Sequence, residues 1–193
     1  MRSIIILGLF FIFISAQNPK KMVGEKVPVF SGITISNLQV NENYFNGKVT
    51  LLNFMSLGCP PCMAEISMLS KFQDDIKNEN FQILCIAPHT AEQLIRFNSQ
   101  KDPVYNALKS HFSVDSISYN ILPECKNKKP DSNPYNLKSE CDDISKLFNI
   151  EGYPVTFLID RNGIIIKVYE GFSIQKDTIY ENSIQKEIEK LLK

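Results

Sequence analysis

The chain has 193 residues, 44% of them hydrophobic and 22% charged, enough apolar material for one domain or for one domain with an insertion. Lysine plus arginine and aspartate plus glutamate each total 21, so the formal net charge is zero. Bulk electrostatics therefore offers nothing to a nucleic acid, and no nucleic-acid partner is expected.

The first segment, "MRSIIILGLFFIFISAQ", has one cation, Arg2, then an apolar run from Ile4 to Ile14, then Ser15-Ala16-Gln17. The run is shorter than the roughly 20 apolar residues that cross a bilayer. It reads as a secretory signal over residues 1–16, cut after Ala16. An uncleaved anchor or a buried strand are the other readings, since Ile14 stands where a small residue is preferred. Residues 17–26 read as a polar linker and residues 27–193 as the folded domain. Export to the periplasm or cell envelope places the chain where disulfides persist. There are five cysteines, Cys59, Cys62, Cys85, Cys125 and Cys141, so at least one stays unpaired within the chain.

"VPVFSGITISNLQVNENYFNGK" mixes β-rich pieces with the turn signals Ser31-Gly32 and Asn46-Gly47, a β-hairpin ahead of the core. "KVTLLNF" is a short apolar run suited to a buried strand. Met63, Ile66, Leu69, Phe72 and Ile76 then recur at helical spacing. "FQILCIAP" is a second buried strand, "TAEQLIRFNSQ" a helix with Thr90 as N-cap, and "DPVYNALKSHF" a weaker helix with Pro103 in its first turn. "SISYNIL" is a third strand. From Pro123 to Cys141 the chain turns rich in Lys, Asn, Pro and Ser, a surface insertion whose ends carry Cys125 and Cys141. "DDISKLFNI" reads as a short helix. "PVTFLID" and "GIIIKVYEG" are strands joined through Asn162-Gly163, a strong hairpin signal, and Asp177 to Lys193 closes the chain as a helix. Alternating βαβ units followed by a hairpin predict an α/β sandwich with a mixed sheet.

The chemistry concentrates in "NFMSLGCPPCMAEISML", where a strand runs into a helix. A thiol reacts as its thiolate, and a helix start favours that anion through unpaired N–H groups and aligned peptide dipoles. Cys59 sits just before the helix; Cys62 lies one turn in and is more shielded. Pro60 and Pro61 fit a first turn, which needs few N–H donors. Cys59 is therefore the expected nucleophile and Cys62 its resolver. A permanent disulfide, half of a zinc site shared with Cys125 and Cys141, and a thiol peroxidase are the competing readings. The four positions before Cys59 hold no Thr or Arg to activate a peroxide.

"VTLLNFMSLGCPPCMAEISML" together with "FNIEGYPVTFLIDRNGII" resembles the thioredoxin superfamily, specifically exported thiol–disulfide oxidoreductases of the TlpA/ResA type near the AhpC/TSA–redoxin branch. The resemblance implies a thioredoxin-like three-layer sandwich with a mixed central sheet flanked by helices. It implies that Cys59 and Cys62 are the redox pair, with no diffusible cofactor or metal. Pro154 matches the family's cis-proline, and Tyr153 before it matches the residue that offers its backbone to a peptide. Glu65 matches an acidic residue near the cysteines; the alternative is a solvated helix-surface glutamate. Asn53 stands where thioredoxin carries a buried acid, which leaves Glu65 as the proton handler. Gly58 replaces the tryptophan usual before the first cysteine. With Pro60 and Pro61, Gly58 and Tyr153 make the expected substrate surface. The implied activity is reduction of protein disulfides by a monomer that takes electrons from a membrane thiol carrier. A non-catalytic binding module on the same fold is the other class.

Cys125 and Cys141 bracket a segment with little apolar material to order it, so a structural disulfide is expected; a second redox relay or two free thiols are the alternatives. Cys85, inside "ILCIA", reads as a small buried hydrophobe. His89 and His111 are the only histidines and read as surface or loop residues; neither lies in a copper-chaperone motif.

Overall fold

A computed structural model describes residues 18–99, 103–126, 140–141, 144–172 and 177–193. The proposed signal segment and residues 127–139 lie outside these. After a 3-10 turn at Pro19–Met22, the strands are β1 Gly32–Ile33, β2 Gln39–Val40, β3 Val49–Phe54, β4 Phe81–Thr90, β5 Asn120–Lys126, β6 Glu140–Cys141, β7 Val155–Ile159 and β8 Ile165–Glu170. The helices are α1 Pro60–Asp75, α2 Ala91–Asn98, α3 Pro103–His111, α4 Ile144–Leu147 and α5 Asp177–Leu192. Strands β1 and β2 pair as a small hairpin. The main sheet runs in the order β6-β5-β4-β3-β7-β8. Its β3, β4 and β5 are parallel, and β6, β7 and β8 each pair antiparallel with their neighbours. This is the thioredoxin-like α/β arrangement with a mixed sheet flanked by helices.

Every residue of β3 is buried, because both faces of the sheet are covered. Alternate side chains of a strand point to opposite faces. Val49, Leu51 and Met55 meet Ile66, Leu69 and Phe72 of α1, Leu94 and Phe97 of α2, and Ile184 and Ile188 of α5. Leu52 and Phe54 face the other way, onto Phe30, Phe45, Phe148 and Phe157. Asn53 shares the parity of Leu51 and so points at α1, where a polar side chain needs a partner.

Local chemistry accounts for the element ends. Thr90 Oγ1 accepts the Gln93 N–H at 3.3 Å and Gln93 Oε1 accepts the Thr90 N–H at 2.9 Å, a capping box that starts α2. Between β7 and β8, Asp160 Oδ1 accepts the N–H groups of Asn162 and Ile164. Gly163, at φ +77°, takes the left-handed position that this turn requires.

One boundary differs from the sequence reading. The third strand begins at Asn120 and continues through Pro123, Glu124 and Cys125 to Lys126, so the front of the expected insertion belongs to the sheet. Pro123 stands inside this strand, where a proline cannot donate to the ladder. It is tolerated because β6 reaches only Cys125 and Lys126, and the β4 pairing shifts register between Ala87 and Thr90, so no ladder bond is demanded of its nitrogen.

Candidate active site

Strand β3 delivers the chain into a short turn, residues 55–59, in which the Cys59 N–H donates to the Ser56 carbonyl at 3.1 Å. Cys59 is the N-cap of α1, with Pro60 and Pro61 in the first turn. Its sulfur accepts the Cys62 N–H at 3.2 Å, the contact that stabilises a thiolate at a helix start. Cys59 and Cys62 are joined as a disulfide with Cα atoms 5.2 Å apart. Cys59 is half-buried and Cys62 is 1% exposed, so a large partner reaches Cys59 first.

The Tyr153–Pro154 peptide is cis. Its Tyr153 carbonyl oxygen lies 3.6 Å from Cys59 Sγ. A disulfide sulfur carries no hydrogen, so in this oxidised state the pair is a contact; the reduced thiol can donate there. A cleft of about 380 Å³ opens beside Glu151, Gly152, Tyr153 and Pro154.

Glu65 follows Cys62 by one helical turn and is 1% exposed, so it is not a solvated surface glutamate. Its Oε2 accepts from Asn53 Nδ2 at 2.9 Å. Its Oε1 accepts from Tyr180 Oη at 2.8 Å and Thr156 Oγ1 at 3.1 Å. Asn53 Nδ2 also donates to Thr156 Oγ1 at 2.8 Å. Burial pushes the Glu65 carboxyl up to about 7, while the bonds from Tyr180, Thr156 and Asn53 pull it down. Burial dominates, so proton uptake falls near neutrality. Tyr180, reaching in from α5, and Thr156 from β7 were not singled out in the sequence; neither lies in a motif, and only the tertiary fold brings them to Glu65.

Gly58 is exposed, and a side chain at that position would meet open space. Among the described residues, no ring lies within 4 Å of a Cβ at that position. Phe54 is fully buried against Phe148 and Phe157, and Tyr153 presents its carbonyl to the sulfur. Leu57, by contrast, is fully buried and anchors the turn to the core. Gly58→Trp is therefore expected to change stability by less than about 0.5 kcal/mol, read by thermal melting, while altering which disulfides react.

Cys125 and Cys141 are joined across the β5–β6 pair, which rules out two free thiols. Glu124, beside Cys125, accepts from the Ser145 N–H and hydroxyl, both at 2.6 Å. Ser145 also hydrogen-bonds the Tyr153 side chain. The disulfide thus closes the sheet edge, and Glu124 beside it ties that edge to α4 and, through Ser145, to Tyr153. Replacing Cys125 and Cys141 together by Ser is expected to cost about 3 kcal/mol for a closed loop of about 17 residues, measured by urea unfolding. Cys85 is fully buried and burial raises its thiol pKa well above the usual value. Among the described residues, no group of His, Cys, Asp and Glu is arranged to hold a metal ion, and no helix is long and apolar enough to cross a membrane.

His89 differs from the sequence expectation of an ordinary surface or loop residue. It is half-buried, and its Nε2 accepts the Leu57 N–H at 3.0 Å.

A mixed thioredoxin-like sheet with a cysteine pair at the head of α1, facing a cis-proline, defines a redox-fold class. The chain belongs to the AhpC/TSA family, whose sequence profile matches residues 23–168. It is similar to the thioredoxin-like protein YneN of Bacillus subtilis, 23% identical over 154 residues, 80% of this chain and 75% of that protein. It is also similar to the thiol-disulfide oxidoreductase ResA of Bacillus cereus, 22% identical over 157 residues, 81% of this chain and 74% of that protein. A crystal structure of a thioredoxin-family thiol:disulfide interchange protein from Chlorobium tepidum shares the fold, with TM-score 0.53 and 22% identity over 87% of this chain and 96% of that one.

Proposed function

We propose that the protein is a thiol–disulfide oxidoreductase that reduces protein disulfides outside the cytoplasm. The observation that carries this reading is the placement of Cys59: half-buried, capping α1, bonded to a buried Cys62, and 3.6 Å from the Tyr153 carbonyl. The reaction balances on the dithiol itself. A donor dithiol reduces the Cys59–Cys62 disulfide. The Cys59 thiolate then attacks a substrate disulfide, forming a mixed disulfide and releasing one substrate thiolate. Cys62, deprotonated with help from Glu65, attacks the Cys59 sulfur; the internal disulfide re-forms and the second substrate thiolate leaves. Two electrons pass to the substrate, and no diffusible cofactor takes part.

The apolar segment from Ile4 to Ile14 supports export to the periplasm or envelope, or retention there by an anchor. A membrane thiol carrier is then the fitting electron donor, and the protein works as a monomer. The test is electron transfer from the reduced protein to a disulfide-bonded reporter protein, with the dithiol potential titrated against glutathione. A reporter that stays oxidised at every potential overturns the reading. Thiol-dependent consumption of peroxide above background would instead favour a peroxidase.

A further inference from the structure

His89 lies near the end of β4 and reaches the turn that precedes the nucleophile. Its Nε2 accepts the Leu57 N–H at 3.0 Å and stands 3.2 Å from the Ser56 hydroxyl. The Ser56 carbonyl in turn takes the Cys59 N–H at 3.1 Å, and the Met55 N–H donates to the Ile86 carbonyl of β4 at 3.1 Å. The turn is therefore tied to β4 by backbone at Met55 and by one imidazole at Ser56 and Leu57, beside the core anchor of the buried Leu57 side chain. The exposed Gly58 leaves no side chain to hold it from the outside.

A backbone N–H can only donate. Nε2 must therefore carry a lone pair in this arrangement, and the ring proton resides on Nδ1. Ser56, whose hydroxyl faces the same lone pair, donates as well. We propose that His89 is a positioning residue for the Cys59–Cys62 site: its neutral imidazole holds the Ser56–Leu57–Gly58 turn, and with it the N-cap geometry of Cys59, and protonation of the ring releases that turn.

The groups that face the ring are the Leu57 amide and Ser56 hydroxyl from the turn after β3 and Gln93 from the first turn of α2. Burial lowers the His89 pKa and the Gln93 bond raises it less; no charged side chain is among these causes. A group depressed in this way holds the turn above its ordinary pKa of 6.5 and releases it as pH falls through the lowered value. On protonation, Nε2–H points at Leu57 N–H, two donors meet, and the turn must move. Cys59 Sγ then loses its alignment with the Cys62 N–H, and its thiolate is less favoured.

The inference rests on the oxidoreductase reading for its importance, but its test does not need a substrate. The rate of Cys59 alkylation by iodoacetamide is measured in the reduced protein from pH 5 to 8. The variants are His89→Ala, which removes the acceptor, and His89→Gln, whose amide oxygen can accept the Leu57 N–H and does not titrate. His89→Ala is expected to slow alkylation at neutral pH by about tenfold, with His89→Gln within about twofold of the parent. The parent profile carries an inflection below pH 6.5 that His89→Gln lacks, and the Leu57 amide resonance titrates with the His89 ring. If His89→Ala does not fold, the pH profile of His89→Gln and the Leu57 resonance decide alone. Equal alkylation profiles for the parent and the variants, or a Leu57 resonance indifferent to His89 protonation, overturn the proposal. A protein that passes this test yet reduces no protein disulfide leaves the turn mechanism standing and removes only the oxidoreductase reading.

Discussion

Replacing Cys59 by Ala is expected to lower disulfide exchange by roughly 10³-fold or more, because the attacking atom is gone. Folding survives the change. Cys59 is half-buried at a helix cap, and the disulfide it makes with Cys62 spans a separation of only 3 residues, so it constrains little chain entropy. Cys62→Ala has a different outcome. Cys59 can still attack, but the mixed disulfide has no resolver and accumulates. Mass spectrometry of non-reduced complexes separates the two variants and identifies the captured proteins. Exchange that proceeds at the parent rate in Cys59→Ala would remove the dithiol from the mechanism.

Glu65→Gln is expected to slow resolution of the mixed disulfide by about a hundredfold, the lower range for loss of a positioned proton acceptor. The parent rate should rise through pH 7, where the Glu65 carboxylate forms, and the variant should lack that inflection. Stability moves the other way. The carboxyl titrates at about 7 in the fold against 4.5 in a free chain, so the folded state holds more protons between those values. Its contribution is fully present below about pH 4.5 and is lost as pH rises to 7, by about 3 kcal/mol. Glu65→Gln has no such group, so the difference between the urea midpoints of the two proteins should follow that loss across the same pH interval. A pH-independent difference between the two proteins in both readouts would reduce Glu65 to a packing role.

The main elements were legible because each carries its own local pattern. "KVTLLNF" is an uninterrupted apolar run, α1 repeats its apolar residues at helical spacing, and Asn162-Gly163 marks the β7–β8 turn. β5 was placed a few residues early because the composition turns polar from Pro123, and the short reach of β6 and the shifted β4 register let the strand run on through it. The dithiol and cis-proline could be read from two motifs, but the surroundings of Glu65 could not. Asn53, Thr156 and Tyr180 come from β3, β7 and α5, and their convergence is a property of the sheet order. His89 was missed for the same reason: its partner is a backbone N–H 32 positions earlier, and no side-chain pattern announces a backbone donor.

The clasp formed by Cys125–Cys141 and by Glu124 with Ser145 has a mechanical consequence. The disulfide closes the ends of the intervening segment at the sheet edge. Lengthening or shortening residues 127–139 changes only the size of a ring that is already shut, and loop closure depends weakly on length. Tyr153 is referenced to the sheet through Ser145 and Glu124. The fold thereby references the carbonyl that faces Cys59 to the sheet edge, whatever the length of the segment that the disulfide closes.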